Sequence, residues 1–207
     1  GREEPGIRPG EKAMAPGGRG GLGKGGGRGI GRAISLALAE DGAAVAINYR
    51  KDEESANEVA AQILAAGGRA KIYSASVENM EQDEAMVRAV LGDFGKIDIL
   101  VNNAGIADTR ASIDLAEADW RRVMDTNLDG AWRVAQAAAQ AMLAGGEGGS
   151  IVNIASVLGL RVANHLLAYS AAKAALIHLT KALALEWARH GIRVNAIAPG
   201  YVETEIN

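Results

Sequence analysis

Short apolar runs and longer amphipathic stretches take turns along most of this chain. Residues 43–49 (AAVAINY), 97–101 (IDILV), 150–155 (SIVNIA) and 192–197 (IRVNAI) are brief and nearly continuous in apolar character, which predicts buried strands. Residues 70–74 predict a further short strand. Residues 30–41 predict a helix with Ile30, Ile34, Leu36 and Leu38 on or near one face, ended by Gly42. Residues 53–66 predict a second helix that stops at Gly67 and Gly68, and 79–92 a third. A long helix is predicted over 117–143, interrupted near Asn127 to Gly130, and a strong one over 167–190, closed by Gly191. Residues 1–24 break the rhythm. They are rich in Gly, Pro, Arg and Glu and hold few large apolar residues, which is the composition of a disordered arm. The pattern therefore predicts an atypical N-terminal segment, 1–24, and one domain, 25–207.

Strands that alternate with helices need crossover connections, so the sheet is expected to be mostly parallel and covered on both faces. Right-handed crossovers make it a doubly wound α/β fold, in which ligands sit beyond the carboxyl ends of the strands. Composition narrows the functional classes. The chain has 207 residues, 48% of them hydrophobic, enough for one cored domain. It has no cysteine, which removes disulfides, thiolate nucleophiles and cysteine metal sites and fits a reducing cytoplasm. No residues show metal-ligand spacing, so no metal is expected. A net charge of -3 argues against nucleic acid or anionic membrane as partner. The Arg/Gly tract at 17–31 lacks the aromatic interleaving of an RNA binder. No apolar run approaches the roughly 20 residues that cross a bilayer, and the N-terminus has no apolar secretion core.

The candidate chemistry falls at strand ends and helix starts. Gly25-Gly26-Gly27-Arg28-Gly29-Ile30-Gly31 opens the first helix. Glycines permit close backbone approach, and a helix N-terminus attracts a pyrophosphate. The end of the next strand reads Asn48-Tyr49-Arg50-Lys51, without the acid that usually receives the ribose hydroxyls of NAD(H). Arg28 and Arg50 instead suit a ribose 2′-phosphate, which arginine binds bidentately, so NADP(H) is favoured over NAD(H). Further along, Tyr169 and Lys173 lie four apart at the start of a helix and share a face. A lysine ammonium beside a phenol favours the phenolate, the form useful for proton transfer. Ser156 ends the preceding strand, where its hydroxyl can bond a carbonyl or alcohol oxygen.

Together these spacings resemble the classical short-chain dehydrogenase/reductase family from about Gly25 to Asn207, with 3-oxoacyl-[acyl-carrier-protein] reductases among the similar members. Gly25, Gly29 and Gly31 match its phosphate turn, and Asn102-Asn103-Ala104-Gly105 its Asn-Asn-Ala-Gly stretch. Asn127 matches the asparagine at a helix kink that holds a water in the proton relay. Ser156, Tyr169 and Lys173 match the catalytic serine, tyrosine and lysine. Pro199, Gly200, Val202 and Thr204 match the segment that borders the nicotinamide, while Ser76 and Val77 stand where the adenine is flanked. The resemblance implies a Rossmann fold, a homodimer or homotetramer, and a small carbonyl or alcohol substrate. It further implies transfer of the pro-S hydride to a carbonyl carbon, with Tyr169 giving the proton, Lys173 binding the nicotinamide ribose and Ser156 orienting the oxygen.

Three departures stand out. Pro16 to Lys24 (PGGRGGLGK) replaces an apolar first strand, and Lys24 replaces its terminal threonine. Glycine costs roughly 0.5–1 kcal/mol relative to alanine within a strand, so no regular strand is expected there. Such text is also what a shifted reading frame over GC-rich coding DNA yields, and resequencing that DNA tests this. Ser76 replaces the family's aspartate. The lid, helix and last strand that follow Thr204 in the family are expected to be absent from this chain. Two other classes remain open at this point: a non-catalytic nucleotide-binding regulator, which has no need of a proton relay, and an inactive fragment.

Overall fold

The computed structural model describes residues 19–76 and 79–202. Among these residues, six strands form one parallel sheet in the order β3-β2-β1-β4-β5-β6. They are β1 (Gly20–Lys24), β2 (Ala44–Tyr49), β3 (Arg69–Ser74), β4 (Ile99–Asn102), β5 (Gly149–Ile154) and β6 (Ile192–Ile197). The helices are α1 (Gly29–Glu40), α2 (Glu53–Ala65), α3 (Met80–Phe94), α4 (Glu117–Met124), α5 (Gly130–Gly145) and α6 (Leu167–Trp187). The strand order runs outward in both directions from β1 and β4, so this is the doubly wound architecture that the alternation of elements predicts. The carboxyl ends of these two strands flank the point where the winding reverses, and it is there that such sheets bind ligands.

The first strand corrects the expectation from composition. Gly20–Lys24 is not an arm but a strand near the centre of the sheet, paired in parallel with β2 on one side and β4 on the other. Strand pairing uses the backbone, and two neighbouring ladders supply what side-chain preference does not. The Gly20 amide donates to the Asp98 carboxylate at 2.8 Å, which anchors the start of the strand. Leu22 faces the larger core and is fully buried with Leu100, Ile151 and Val134. On the other face, Gly21 and Gly23 let α1 ride close to the sheet, with Leu38 and Ser35 against them.

The remaining elements follow their local chemistry. Asp52 caps α2 through the Ser55 amide, and Asn79 caps α3 through the Gln82 amide. α1 begins with no side-chain cap at all. The long helix predicted over 117–143 is three pieces, because Asp125–Asp129 forms a π turn between α4 and α5. Such single-turn bulges are frequent at functional sites. One core of α3, α5 and α6 covers one face of the sheet, and a second, of α1 and α2, packs against Val45 and Ile47. Among the described residues no helix is long and apolar enough to cross a membrane.

The central strand gives a direct stability test. Leu22→Ala removes a large, fully buried side chain of β1 and should cost about 2–5 kcal/mol. Chemical denaturation of the two proteins measures it; a loss below half a kcal/mol, roughly the surface-substitution range, would mean that β1 does not occupy the sheet centre.

Candidate active site

The glycine turn lies directly after β1. Gly25 has φ 70, and a side chain there would press on Ala104. A Cβ at Gly31 would collide with the Gly25 carbonyl oxygen and with the Asn103 side chain. These two positions therefore admit only glycine while the turn is closed over α1. Asn103 ties the turn to the end of β4 by donating to the Gly25 carbonyl at 3.2 Å. The uncapped first turn of α1, with Gly29 and Ile30 at its start, leaves backbone amides available to an anion.

Beside the turn lies a cavity of about 310 Å³. Gly25, Arg28, Arg50, Asn103, Ala104 and Gly105, all candidates from the sequence, line it. Tyr49, Lys51, Asp52 and Ser55 also line it, as do Ile106 and Thr126. Asp52 matters most among these, since its carboxylate meets Arg28 Nε at 3.2 Å. It lies three residues past the tip of β2, and the bend into α2 returns it to the cavity. Ala75, not Ser76, reaches the lining; the Ser76 amide is taken by Gln82 at 2.8 Å. Val77 and Thr204 lie outside the described residues. Val202 is exposed after β6, and Gly200 has open space around it.

The second cluster lies beyond β4 and β5. Lys173 is 3% exposed, and its Nζ donates to the Ile154 carbonyl at 2.6 Å. The same Nζ stands 5.6 Å from the centre of the Tyr169 ring. Burial pushes the Lys173 ammonium down to about 8 from its ordinary 10.5. A side chain on Gly105 would crowd both Asn127 Oδ1 and Lys173 Nζ, so three segments converge here. Asn127 sits in the π turn and is buried. Its amide donates to the Ile106 and Val123 carbonyls, both at 2.8 Å, and its oxygen accepts from the Ile106 amide at 3.3 Å. Ser156 is buried two residues past β5, and its hydroxyl accepts from the Leu158 amide at 3.1 Å. The Val157 amide donates to the Pro199 carbonyl at 2.9 Å, which brings the loop after β6 to the same place.

A chain of buried side chains fixes these segments. Asn102 donates to the Ala131 carbonyl at 3.0 Å and to Asn153 at 2.9 Å. Asn153 donates to Thr180 at 2.9 Å, and Thr180 to the Leu176 carbonyl at 2.7 Å. Sequence reasoning matched Asn102 to a family stretch but missed Asn153 and Thr180; a polar residue inside the apolar run SIVNIA was the available signal. The loop from Ser156 to Tyr169 also borders a cavity of about 960 Å³ lined by Leu158, Arg161, Val162 and His165. His165 has φ 61, alone among the described non-glycine residues in taking a positive value. Among the described residues no group of three or more His, Asp or Glu could hold a metal ion.

The family model for short chain dehydrogenases matches residues 23–207. The chain belongs to this family. Over 179 residues this short-chain dehydrogenase is 40% identical to a 3-oxoacyl-[acyl-carrier-protein] reductase of Synechocystis sp., covering 86% of this chain and 72% of that protein. It superposes with TM-score 0.89 on a short-chain type dehydrogenase/reductase from Mycobacterium marinum, at 40% identity, over 93% of this chain and 76% of the other. A short chain dehydrogenase from Burkholderia cenocepacia, solved in complex with NADP, superposes with TM-score 0.88 at 41% identity, over 93% and 78% of the two chains. This short-chain dehydrogenase is therefore a nicotinamide-dependent oxidoreductase, passing a hydride between its cofactor and a carbonyl or secondary alcohol.

The buried lysine has a pH signature. With a folded pKa near 8 against 10.5 unfolded, the unfolded chain holds the extra proton between these values. The burial penalty is thus fully present below about 8 and is relieved as pH rises through that window. Wild type should gain stability relative to Lys173→Met between about pH 7 and about pH 10, read by paired denaturation curves. A gap independent of pH would show that burial does not lower the Lys173 pKa.

Proposed function

We propose that this short-chain dehydrogenase is an NADP(H)-preferring carbonyl reductase whose proton chemistry runs through Ser156, Tyr169 and Lys173. The observation that carries this reading is the buried Lys173 ammonium beside the Tyr169 ring. A buried cation that ends on a phenol, in a cleft at the carboxyl ends of the strands, is costly to maintain and suits proton transfer. The open amides at the start of α1 and the glycine-only closure of the turn fit a pyrophosphate. Gly25, Gly29, Ile30 and Gly31 would hold that group, Arg28 and Arg50 a 2′-phosphate, and Asn103, Ala104 and Gly105 the adenosine side. The segment from Pro199 to Thr204 would border the nicotinamide. When bound, the cofactor supplies or accepts the hydride.

The chain's own residues manage the proton and the oxygen. The Ser156 hydroxyl accepts from Leu158 and keeps its own proton, which it directs to the substrate oxygen. In reduction, Tyr169 gives its hydroxyl proton to that oxygen, and the Lys173 charge offsets the negative charge left behind. Lys173 has three N–H donors and the Ile154 carbonyl takes one, so two remain for ribose hydroxyls. Both N–H groups of the Asn127 amide are taken, by the Ile106 and Val123 carbonyls, so its share in a proton path falls to its side-chain oxygen and to the backbone of the π turn. Alcohol oxidation reverses the same steps.

The acyl-carrier-protein reductase among its relatives favours a carbonyl on an acyl chain, and the apolar residues Leu158 and Val162 at the larger cavity suit such a substrate. Trp132 and Leu143 on α5 and Leu185 on α6 are exposed apolar side chains that favour a homodimer or homotetramer. The test is NADPH oxidation with an acetoacetyl thioester. Tyr169→Phe should lower kcat by about 10²–10⁴-fold while NADPH binding stays within twofold of wild type, roughly the scatter of a neutral substitution. A Tyr169→Phe enzyme with wild-type turnover would overturn the assignment.

A further inference from the structure

We infer that Asp52 discriminates against a ribose 2′-phosphate, so that the Arg28–Asp52 pair, and not the basic residues alone, sets the preference between NADP(H) and NAD(H). This rests on reading the cavity beside the glycine turn as the seat of the adenosine end of the cofactor.

Sequence spacing offers no acid at the tip of β2, where Tyr49 is followed by Arg50 and Lys51. The fold supplies one from further along. Asp52 lines the same cavity as Arg28, Arg50 and Lys51, and its Oδ2 lies 3.2 Å from Arg28 Nε. The carboxylate is held firmly. Its Oδ1 accepts from the Ser55 amide at 3.0 Å and its Oδ2 from the Ser55 hydroxyl at 2.8 Å. These bonds from Ser55, followed by the nearby Arg28 charge, keep the carboxyl below the usual carboxylate range, so it is ionised at neutral pH. The turn cannot drift away from it: a side chain on Gly27 would sit 3.2 Å from the Ala56 amide nitrogen, so Gly27 packs directly against the start of α2.

The two cofactors make opposite demands on this arrangement. A ribose hydroxyl donates a hydrogen bond, and a fixed carboxylate is a suitable acceptor. A 2′-phosphate brings about two negative charges and only acceptors. It must draw the Arg28 guanidinium from Asp52 or share it, and it meets the Asp52 charge in a cavity of about 310 Å³. Arg50 and Lys51 work in the other direction from the same wall. Asp52 therefore limits a preference that the three basic residues create.

The experiment uses the full chain with adenosine 2′,5′-bisphosphate and adenosine 5′-monophosphate as probes, titrated calorimetrically against wild type, Asp52→Ser and Asp52→Asn. Serine and asparagine both keep a helix-capping oxygen and remove the charge. Expected is a selective tightening of the bisphosphate by about tenfold in both variants, with the monophosphate little changed or weaker. An unchanged ratio of the two affinities, or an equal change in both, overturns the role of Asp52 and reduces it to the α2 cap. Arg28→Gln separates the underlying reading: if it leaves the bisphosphate affinity of wild type intact, the cavity is not the 2′-phosphate seat, whatever Asp52 does. The melting temperatures of the unliganded variants show that any change in ratio is measured on folded protein.

Discussion

Four elements of this domain are pinned by one line of buried hydrogen bonds, from the Ala131 carbonyl through Asn102, Asn153 and Thr180 to the Leu176 carbonyl. It crosses α5, β4, β5 and α6. In an apolar interior each such bond is stronger than in water, and each orphaned partner is costly, so the line has little tolerance for sliding. The candidate site residues sit a short distance along the chain from its members. Gly105 follows Asn102 by three residues, Ser156 follows Asn153 by three, and Asn127 precedes α5 by three. Tyr169 and Lys173 lie on α6 about three turns and two before Thr180. A rigid frame with brief extensions holds reacting groups more tightly than long loops could.

Against that frame, the site itself contains costs. Lys173 is buried with one protein acceptor, and the π turn at Asn127 forgoes the regular helical ladder. Neither feature serves packing. Both place polar groups where the cleft opens, and the clamp from Asn127 to Ile106 fixes the loop that leaves β4. The stability that the buried line contributes is what allows these local costs to persist.

Most of the architecture was legible from periodicity, because buried parallel strands read as short apolar runs and the helices carry amphipathic or small-residue faces. The element order followed from alternation, and β6 was read to the residue. Two things were not legible. β1 has no side-chain signal, since Gly20, Gly21 and Gly23 contribute only backbone and its pairing depends on neighbours far off in sequence. Asp52 was out of view for a related reason: linear spacing sets the strand tip at Tyr49, whereas the return of the chain into α2 is a tertiary event. The catalytic candidates were readable through a family pattern more than through physics alone. A Tyr and a Lys four apart occur on many surfaces, and the burial of Lys173 is what distinguishes this pair.

A sheet whose central strand is mostly glycine has an order of assembly built into it. Glycine gains little from extended structure and loses the most entropy in adopting it, so β1 cannot nucleate. β2 with β3, and β4 with β5 and β6, each have side chains enough to condense against their own helices. The two halves then precede the seam, and β1 closes it last. Until it does, the inner edges of β2 and β4 stand open, each able to pair with the same edge of another molecule. Whether those edges are covered therefore depends on five residues reaching their place between β2 and β4.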